Sequence, residues 1–313
     1  MKRIPIILDG DPGHDDAICW TLASAFDEFD ILAVTTVAGN QTIEKTTYNA
    51  RCIMTLTGID APIAMGARHP LISEPIIAPN FHGVSGLDGP KMPEPVMEVS
   101  KLSAVELMAK VIQESDEVVT IVSTGPQTNV AQLLLTHPEL KDKIRISMMG
   151  GGIARGNWNP AAEFNILVDP EAMKIELDSH VCMMMTPLDV TELAIVKPSE
   201  FDRIKQLNNK VADTVVGWLE FFYQYPMQLG YDGAPLHDPC ALLALIHPEI
   251  FKIEHMYVDV ELNGEYTRGA TVGDIYHSTG HEPNVDVLMK IDRELFLDTL
   301  IEGLSKFSGG KHE

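Results

Sequence analysis

Short apolar, β-rich runs alternate with helical patterns along the chain, which predicts an α/β fold: one domain with a mostly parallel central sheet flanked by helices, open and Rossmann-like. Three observations carry this. Strand-like and helix-like stretches take turns from residue 4 to residue 187. The first run, 4–8, is apolar on both faces, as a central strand must be. Polar residues gather just beyond the C-terminal ends of the runs, the edge of an open parallel sheet where ligands collect.

The elements follow in order. Strand 4–8 leads into a helix from about 15 to 26, and strand 31–37 into a stretch, 43–56, with helical apolar spacing. Residues 61–65 form a short strand and 103–113 a helix. Strand 118–123 precedes a helix opening at 128–135; strand 144–149 precedes helix 170–179, and 181–187 is a further strand. The stretch 199–229 reads as helical and is rich in aromatics: Trp218, Phe221, Phe222, Tyr223 and Tyr225. A buried helix at 239–246 and a strand at 256–262 complete the set. Between them, 68–98 is rich in Pro and Gly; a loop of that length is functional or disordered, and its centre, 80–89, reads as a mobile lid over the active site. Residues 308–313 read as a frayed end. No linker, repeat or low-complexity tract divides residues 1–313, so a single domain is expected.

Composition narrows the function. The net charge of -22 argues against a nucleic-acid partner, which needs clustered Lys and Arg. No run of 18 apolar residues occurs, so no membrane helix is expected. The N-terminus passes from Met-Lys-Arg directly into a strand, so no signal peptide is expected. Cys19, Cys52, Cys182 and Cys240 lack metal spacing and read as reduced, mostly buried thiols, consistent with a cytoplasmic protein.

The chemistry concentrates at the end of the first strand. Asp9, Asp11, Asp15 and Asp16 fall within eight residues. Carboxylates so close repel, and a hard divalent cation with oxygen ligands offsets that best. The plainer alternative is a solvated acidic turn, with Asp15 and Asp16 favouring a helix N-terminus. Asn40, the run Ser123-Thr124-Gly125 and Asp189 stand at other strand ends. Gly150–Gly152 lacks the spacing of a dinucleotide fingerprint and reads as a tight turn. Asn157, Glu163 and Asn165 set amides and a carboxylate among apolar neighbours, which suits a neutral polyhydroxylated ligand such as a sugar, or else a polar loop with Asx turns. Asp238 is either a helix N-cap or a further metal ligand. His237 is a candidate general acid, because an unperturbed imidazole titrates near neutrality, and His82 in the lid is a second. His14 lies inside the Asp cluster, where it can equally shape the turn.

Asp-Gly-Asp-Pro-Gly-His-Asp-Asp at 9–16, Val-Ala-Gly-Asn at 37–40, Thr-Gly-Pro at 124–126, Met-Gly-Gly-Gly at 149–152, Ala-Glu-Phe-Asn at 162–165 and His-Asp at 237–238 together resemble the inosine-uridine preferring nucleoside hydrolases, in consistent order from residue 4 to about 295. The resemblance implies hydrolysis of the N-ribosidic bond of ribonucleosides, leaning to uridine and cytidine with inosine activity left open, and a tightly bound Ca²⁺. By motif position, Asp11, Asp16 and Asp238 look like its side-chain ligands and the Thr124 carbonyl like a backbone ligand. A water and the ribose 2′- and 3′-hydroxyls would fill the remaining positions. Asp11 looks like the base that activates the water. Asp15, Asn40, Asn157, Glu163 and Asn165 look like ribose-binding residues, and Asp9 like a support behind them. His237 is the family's candidate acid at the base, with His82, Tyr225 or Phe221 contacting it. The resemblance also suggests a homotetramer or dimer. Two rivals differ in kind. A haloacid-dehalogenase-type phosphohydrolase also begins with an apolar strand and Asp-x-Asp, but a phosphate substrate wants a Lys at the site. A non-catalytic nucleoside-binding protein would lack one of the water-activating ligands, whereas all are present here.

Overall fold

In the computed structural model, which describes residues 2–309, the chain forms twelve strands: β1 (Ile4–Gly10), β2 (Phe29–Thr36), β3 (Ile63–Met65), β4 (Val119–Ser123), β5 (Ile144–Met149), β6 (Cys182–Thr186), β7 (Ile195–Val196), β8 (Ala234–Pro235), β9 (Phe251–Met256), β10 (Val258–Val260), β11 (Thr271–Gly273) and β12 (Val285–Ile291). The helices are α1 (His14–Ala25), α2 (Ile43–Thr57), α3 (Pro79–His82), α4 (Ala104–Glu114), α5 (Thr128–Thr136), α6 (Phe164–Val168), α7 (Pro170–Ser179), α8 (Leu188–Thr191), α9 (Phe201–Lys205), α10 (Lys210–Phe222), α11 (Gln224–Gln228), α12 (Asp238–Leu243) and α13 (Arg293–Ser305).

Eight strands build the main sheet in the order β3-β2-β1-β4-β5-β6-β12-β9, parallel throughout except for β9, which runs antiparallel to β12. The order reverses direction between β1 and β4, which creates a crevice beyond their C-terminal ends. Strand β1 is buried on both faces by alternation: Ile6 and Leu8 join one core with Trp20, Trp218 and Phe296, while Ile7 joins the other with Ile121, Ile146 and Met183.

The expected parallel α/β plan holds, with three departures. The 199–229 stretch is not one helix: Asn208 takes a left-handed φ of 50°, and the Asn209 side chain caps α10 by accepting the Ala212 N–H at 2.8 Å. The 256–262 stretch contributes only the short β10, in a separate two-stranded sheet with β11. Strands β9 and β12 and helix α13 were not anticipated; the Lys and Glu residues of β9 mask its pattern, since its outer positions face solvent.

The 68–98 segment carries the short α3 and is otherwise irregular. Its centre is tied to the body: Lys45 Nζ donates to the Val84 carbonyl, Asn49 Nδ2 to the Ser85 carbonyl at 3.1 Å, and Asp88 accepts the Val84 and Ser85 amides at 2.9 and 3.0 Å. Of the tail expected to fray, Ser308 is held, its hydroxyl donating to the Leu207 carbonyl at 3.1 Å. Residues 310–313 lie outside the described residues. Cys19, Cys52 and Cys240 are buried, Cys182 is exposed, and all are free thiols. No helix among the described residues is long and apolar enough to cross a membrane.

Candidate active site

Beyond β1 the chain turns through Gly10–Gly13 into α1, and this turn gathers the aspartates at the crevice, where Asp15 lines the cavity and Asp11 and Asp16 are fully buried. A Cβ at Gly10 would stand 2.5 Å from both Asp16 Oδ1 and Thr124 Oγ1, so only glycine fits. Asp16 Oδ2 accepts the Gly13 N–H at 3.0 Å, and Oδ1 accepts the Thr124 hydroxyl at 2.6 Å. Asp16 therefore caps its own helix and also faces the end of β4, but the turn is buried and not the solvated one of the plainer alternative. Carboxylate oxygens of Asp15, Asp16 and Asp238 lie within 4.8 Å of one another, with Asp238 delivered by the first turn of α12. Asp11 stands outside that trio; its Oδ2 accepts the Asn40 N–H, while its buried Oδ1 has no partner. The Thr124 carbonyl accepts from Asn165 Nδ2 at 3.0 Å.

Burial governs the electrostatics. It pushes Asp16 up to about 6 and Asp15 up to about 8, where repulsion from Asp16 adds to it. Asp11 and Asp238 are driven well above the ordinary carboxylate range by burial and by their acidic neighbours. A hard cation fits this set: every donor is an oxygen, one buried oxygen is unpartnered, and the trio has ligand spacing. Asp9 does not line the cavity; its Oδ1 accepts from Thr35 at 2.6 Å and Asn129 at 2.8 Å, and burial lifts it to about 7. Behind it, Glu176 of α7 is fully buried with both carboxylate oxygens unpartnered, and burial, then Asp9 and Asp169, hold it well above the usual range.

A cavity of about 610 Å³ opens over the cluster. Of the expected residues, Asp15, Asn40, His82, Thr124, Asn157, Glu163, Asn165, His237 and Asp238 line it. Glu163 caps α6: Oε1 accepts the Asn165 N–H at 2.9 Å, and Oε2 accepts those of Gly151 and Ile166 at 2.9 and 3.2 Å. Burial nonetheless lifts it to about 7. Asn157 Oδ1 accepts the Phe164 N–H at 3.0 Å, which fixes the loop ahead of α6.

The histidines differ from expectation. His237 Nδ1 lies 2.8 Å from the Thr191 hydroxyl, and burial pushes the ring down to about 4 rather than leaving it near neutrality. His82 already lies buried in the cavity wall, its Nδ1 3.0 Å from His14 Nδ1, and burial drives it well below its ordinary value. Its ring packs against Gly13, where a Cβ would stand 2.6 Å away. For both imidazoles burial disfavours the charged form. Phe221 and Tyr225 do not line the cavity: Phe221 stacks on His14 at 5.2 Å and Tyr225 packs on Phe81 at 4.3 Å. One residue along a helix rotates the side chain by about 100°, so Phe222 takes the wall position instead.

Among the lining residues not singled out from the sequence are Arg155, Glu192 and Tyr231. Glu192 accepts the Tyr231 hydroxyl at 2.7 Å and pairs with Arg155. Arg155 is the single Lys or Arg among the lining residues, and this pairing leaves no free cation for a phosphate. The remaining wall, with Ile195, Phe222, Pro226 and Leu229, is apolar and suits a flat heterocycle.

A family model described as inosine-uridine preferring nucleoside hydrolase matches residues 6–298. Among curated relatives, a pyrimidine-specific ribonucleoside hydrolase RihA of Enterobacter sp. (strain 638) is 51% identical over 309 residues, covering 97% of this chain and 99% of the relative. The protein of the same description from Klebsiella pneumoniae (strain 342) is 50% identical over the same length, covering the same shares of both chains. Among solved structures, a purine-preferring ribonucleoside hydrolase from Gardnerella vaginalis superposes with a TM-score of 0.91 at 27% identity, covering 97% of this chain and 99% of that one. An inosine-guanosine nucleoside hydrolase superposes at 0.87 with 29% identity, over 96% and 99%.

Proposed function

This chain belongs to the inosine-uridine preferring nucleoside hydrolases and is an enzyme acting on N-glycosyl bonds; from that premise we propose that it hydrolyses pyrimidine ribonucleosides, uridine and cytidine, to ribose and free base, with Ca²⁺ as its metal. The observation that carries the reading is the meeting, in one cavity, of a buried carboxylate cluster, a set of amide and carboxylate groups and an apolar wall. The preference for pyrimidines rests on the relatives of about half identity over nearly the whole length.

Asp11, Asp16, Asp238 and the Thr124 carbonyl would hold the ion, with Asp15 beside them. When bound, Ca²⁺ supplies Lewis acidity and neutralises the carboxylates. Asp11 takes the proton of the attacking water through Oδ1, the oxygen left free of protein partners. Asp15, Asn40, Asn157, Glu163 and Asn165 bind and orient the ribose. Their negative field favours the positive charge that develops on the sugar as the bond to the base breaks. The apolar wall excludes water from the base. His237 and His82 donate hydrogen bonds to the departing base, and the 68–98 segment, which already places His82 in the wall, covers it. The setting is a cytoplasmic homo-oligomer, dimer or tetramer, which sedimentation checks.

The experiment is kcat/KM on uridine, cytidine, inosine and adenosine, with Ca²⁺ and with chelator. Pyrimidines are expected to lead by roughly 10-fold or more, the discrimination a small difference in pocket contacts gives. Equal or purine-favoured values overturn the preference. A single turnover followed by arrest would mark a binding protein.

A further inference from the structure

The segment that follows β6 reaches two loops and His237 around the cavity through three side chains, Asp189 and Glu192 both holding the loop after β5. Asp189 accepts the Ile153 and Ala154 amides at 2.7 and 3.1 Å. Thr191 orients His237 through its ring nitrogen at 2.8 Å. Glu192 accepts the Tyr231 hydroxyl at 2.7 Å and pairs with Arg155. The last contact joins two loops that are far apart in sequence: Arg155 belongs to the one after β5, Tyr231 to the one after α11. Glu192's side chain is 6% exposed, and a carboxylate so placed is tolerated only when paired. Arg155's is 62% exposed and rides on a glycine-flanked loop, so it is the movable partner.

We infer that Glu192 is a positioning residue for the leaving-base end of the cavity: its carboxylate draws the Arg155 loop and the Tyr231 loop together and so fixes the wall against which the heterocycle rests. This rests on the nucleoside-hydrolase reading above and adds the group that sets base affinity. It separates the two ends of the ligand. Groups facing the carboxylate cluster bind the sugar whether or not the clamp is made; the base is held only when it is made.

The test compares wild type with Glu192→Gln, Glu192→Ala, Arg155→Ala and the Arg155→Ala/Glu192→Ala double variant, in Ca²⁺ buffer. Readouts are kcat and KM for uridine and inhibition constants for uracil and for D-ribose. Removing the Tyr231 hydrogen bond together with the Arg155 ion pair costs roughly 10-fold or more in affinity, so Glu192→Ala should raise the uridine KM and the uracil constant by about that factor. It should leave the D-ribose constant within about 2-fold, and kcat should move less than KM. Glu192→Gln keeps an acceptor for Tyr231 and should fall between. Arg155→Ala should weaken uracil alone, and should do nothing further once Glu192 is absent. Uracil and D-ribose constants rising together, or an unmoved uracil constant in both Glu192→Gln and Arg155→Ala, overturns the inference. If Glu192→Ala fails to fold, those two variants, one near-isosteric and one at an exposed side chain, decide alone. If the wild type hydrolyses no nucleoside, the function reading fails, and calorimetric binding of uracil and D-ribose to the same variants still decides this inference.

Discussion

Four buried carboxylates at one crevice make stability depend on pH in a direction opposite to that of surface acids. Burial raises Asp15 from 3.8 to about 8 and Asp16 to about 6. A folded-state pKa above the unfolded value means that the native chain keeps protons which the unfolded chain releases. The associated stability is fully present below about pH 4 and is lost as pH rises through about 6 for Asp16 and about 8 for Asp15. Between about pH 5 and pH 8, Asp15 alone corresponds to a loss on the order of 4 kcal/mol. For a chain of this size that is a fall in Tm of roughly 8 °C. Bound Ca²⁺ holds the carboxylates ionised and removes the loss. The assay is thermal melting across pH, in chelator and in millimolar Ca²⁺. Glu176 adds its own decline that the ion does not relieve, so the quantity to follow is the difference between the two curves. That difference should widen from acid to alkaline pH. A constant difference, or none, would refute the argument that these carboxylates form the cation site.

The other expectations are as direct. Asp11→Asn should fold and bind Ca²⁺ yet lose at least about 10²-fold in kcat, since it removes the proposed base; near-normal turnover with metal bound would disprove the role. Glu163→Ala and 2′-deoxyuridine should each depress kcat/KM strongly, because sugar contacts act mainly in the transition state; equal rates on uridine and 2′-deoxyuridine contradict it. Glu176→Leu should raise Tm at pH 8 by an amount reflecting about 1–3 kcal/mol, since it removes a buried carboxyl with no partner; a fall in Tm would contradict this. His237→Ala should slow uridine hydrolysis far more than that of p-nitrophenyl riboside, whose leaving group needs no help, and equal slowing would make His237 a positioning residue.

Much of the sheet was legible because β1 is apolar on both faces and β4 and β5, though broken by Thr120, Arg145 and Ser147, are otherwise apolar and buried. So was the carboxylate cluster, because the turn after β1 packs its aspartates into a few consecutive positions. Thr124, Asn165 and Asp238 were legible only through short motifs, since their meeting depends on which strands become neighbours. The aromatic wall was misassigned by one residue, Phe221 for Phe222, because helix phase at the end of α10 follows packing. The ionisation of His237 and His82 was misjudged because burial cannot be read from a lone histidine in a loop. Arg155, Glu192 and Tyr231 sit on three separate segments, and nothing in their local sequences links them.

The two borders of the main sheet have a consequence for assembly. At one border β3 has only three residues, and a bridge from Ile63 to Val99 partly covers it. At the other, β9 presents Lys252, Glu254 and His255, with Lys252 bonded to Glu254 at 2.7 Å and His255 to Asp286 of β12 at 2.8 Å. A short covered strand and a charged one are poor templates for another chain's backbone. Extension of the main sheet by another copy is therefore disfavoured at both borders, and a symmetric association would be made through helices and loops instead.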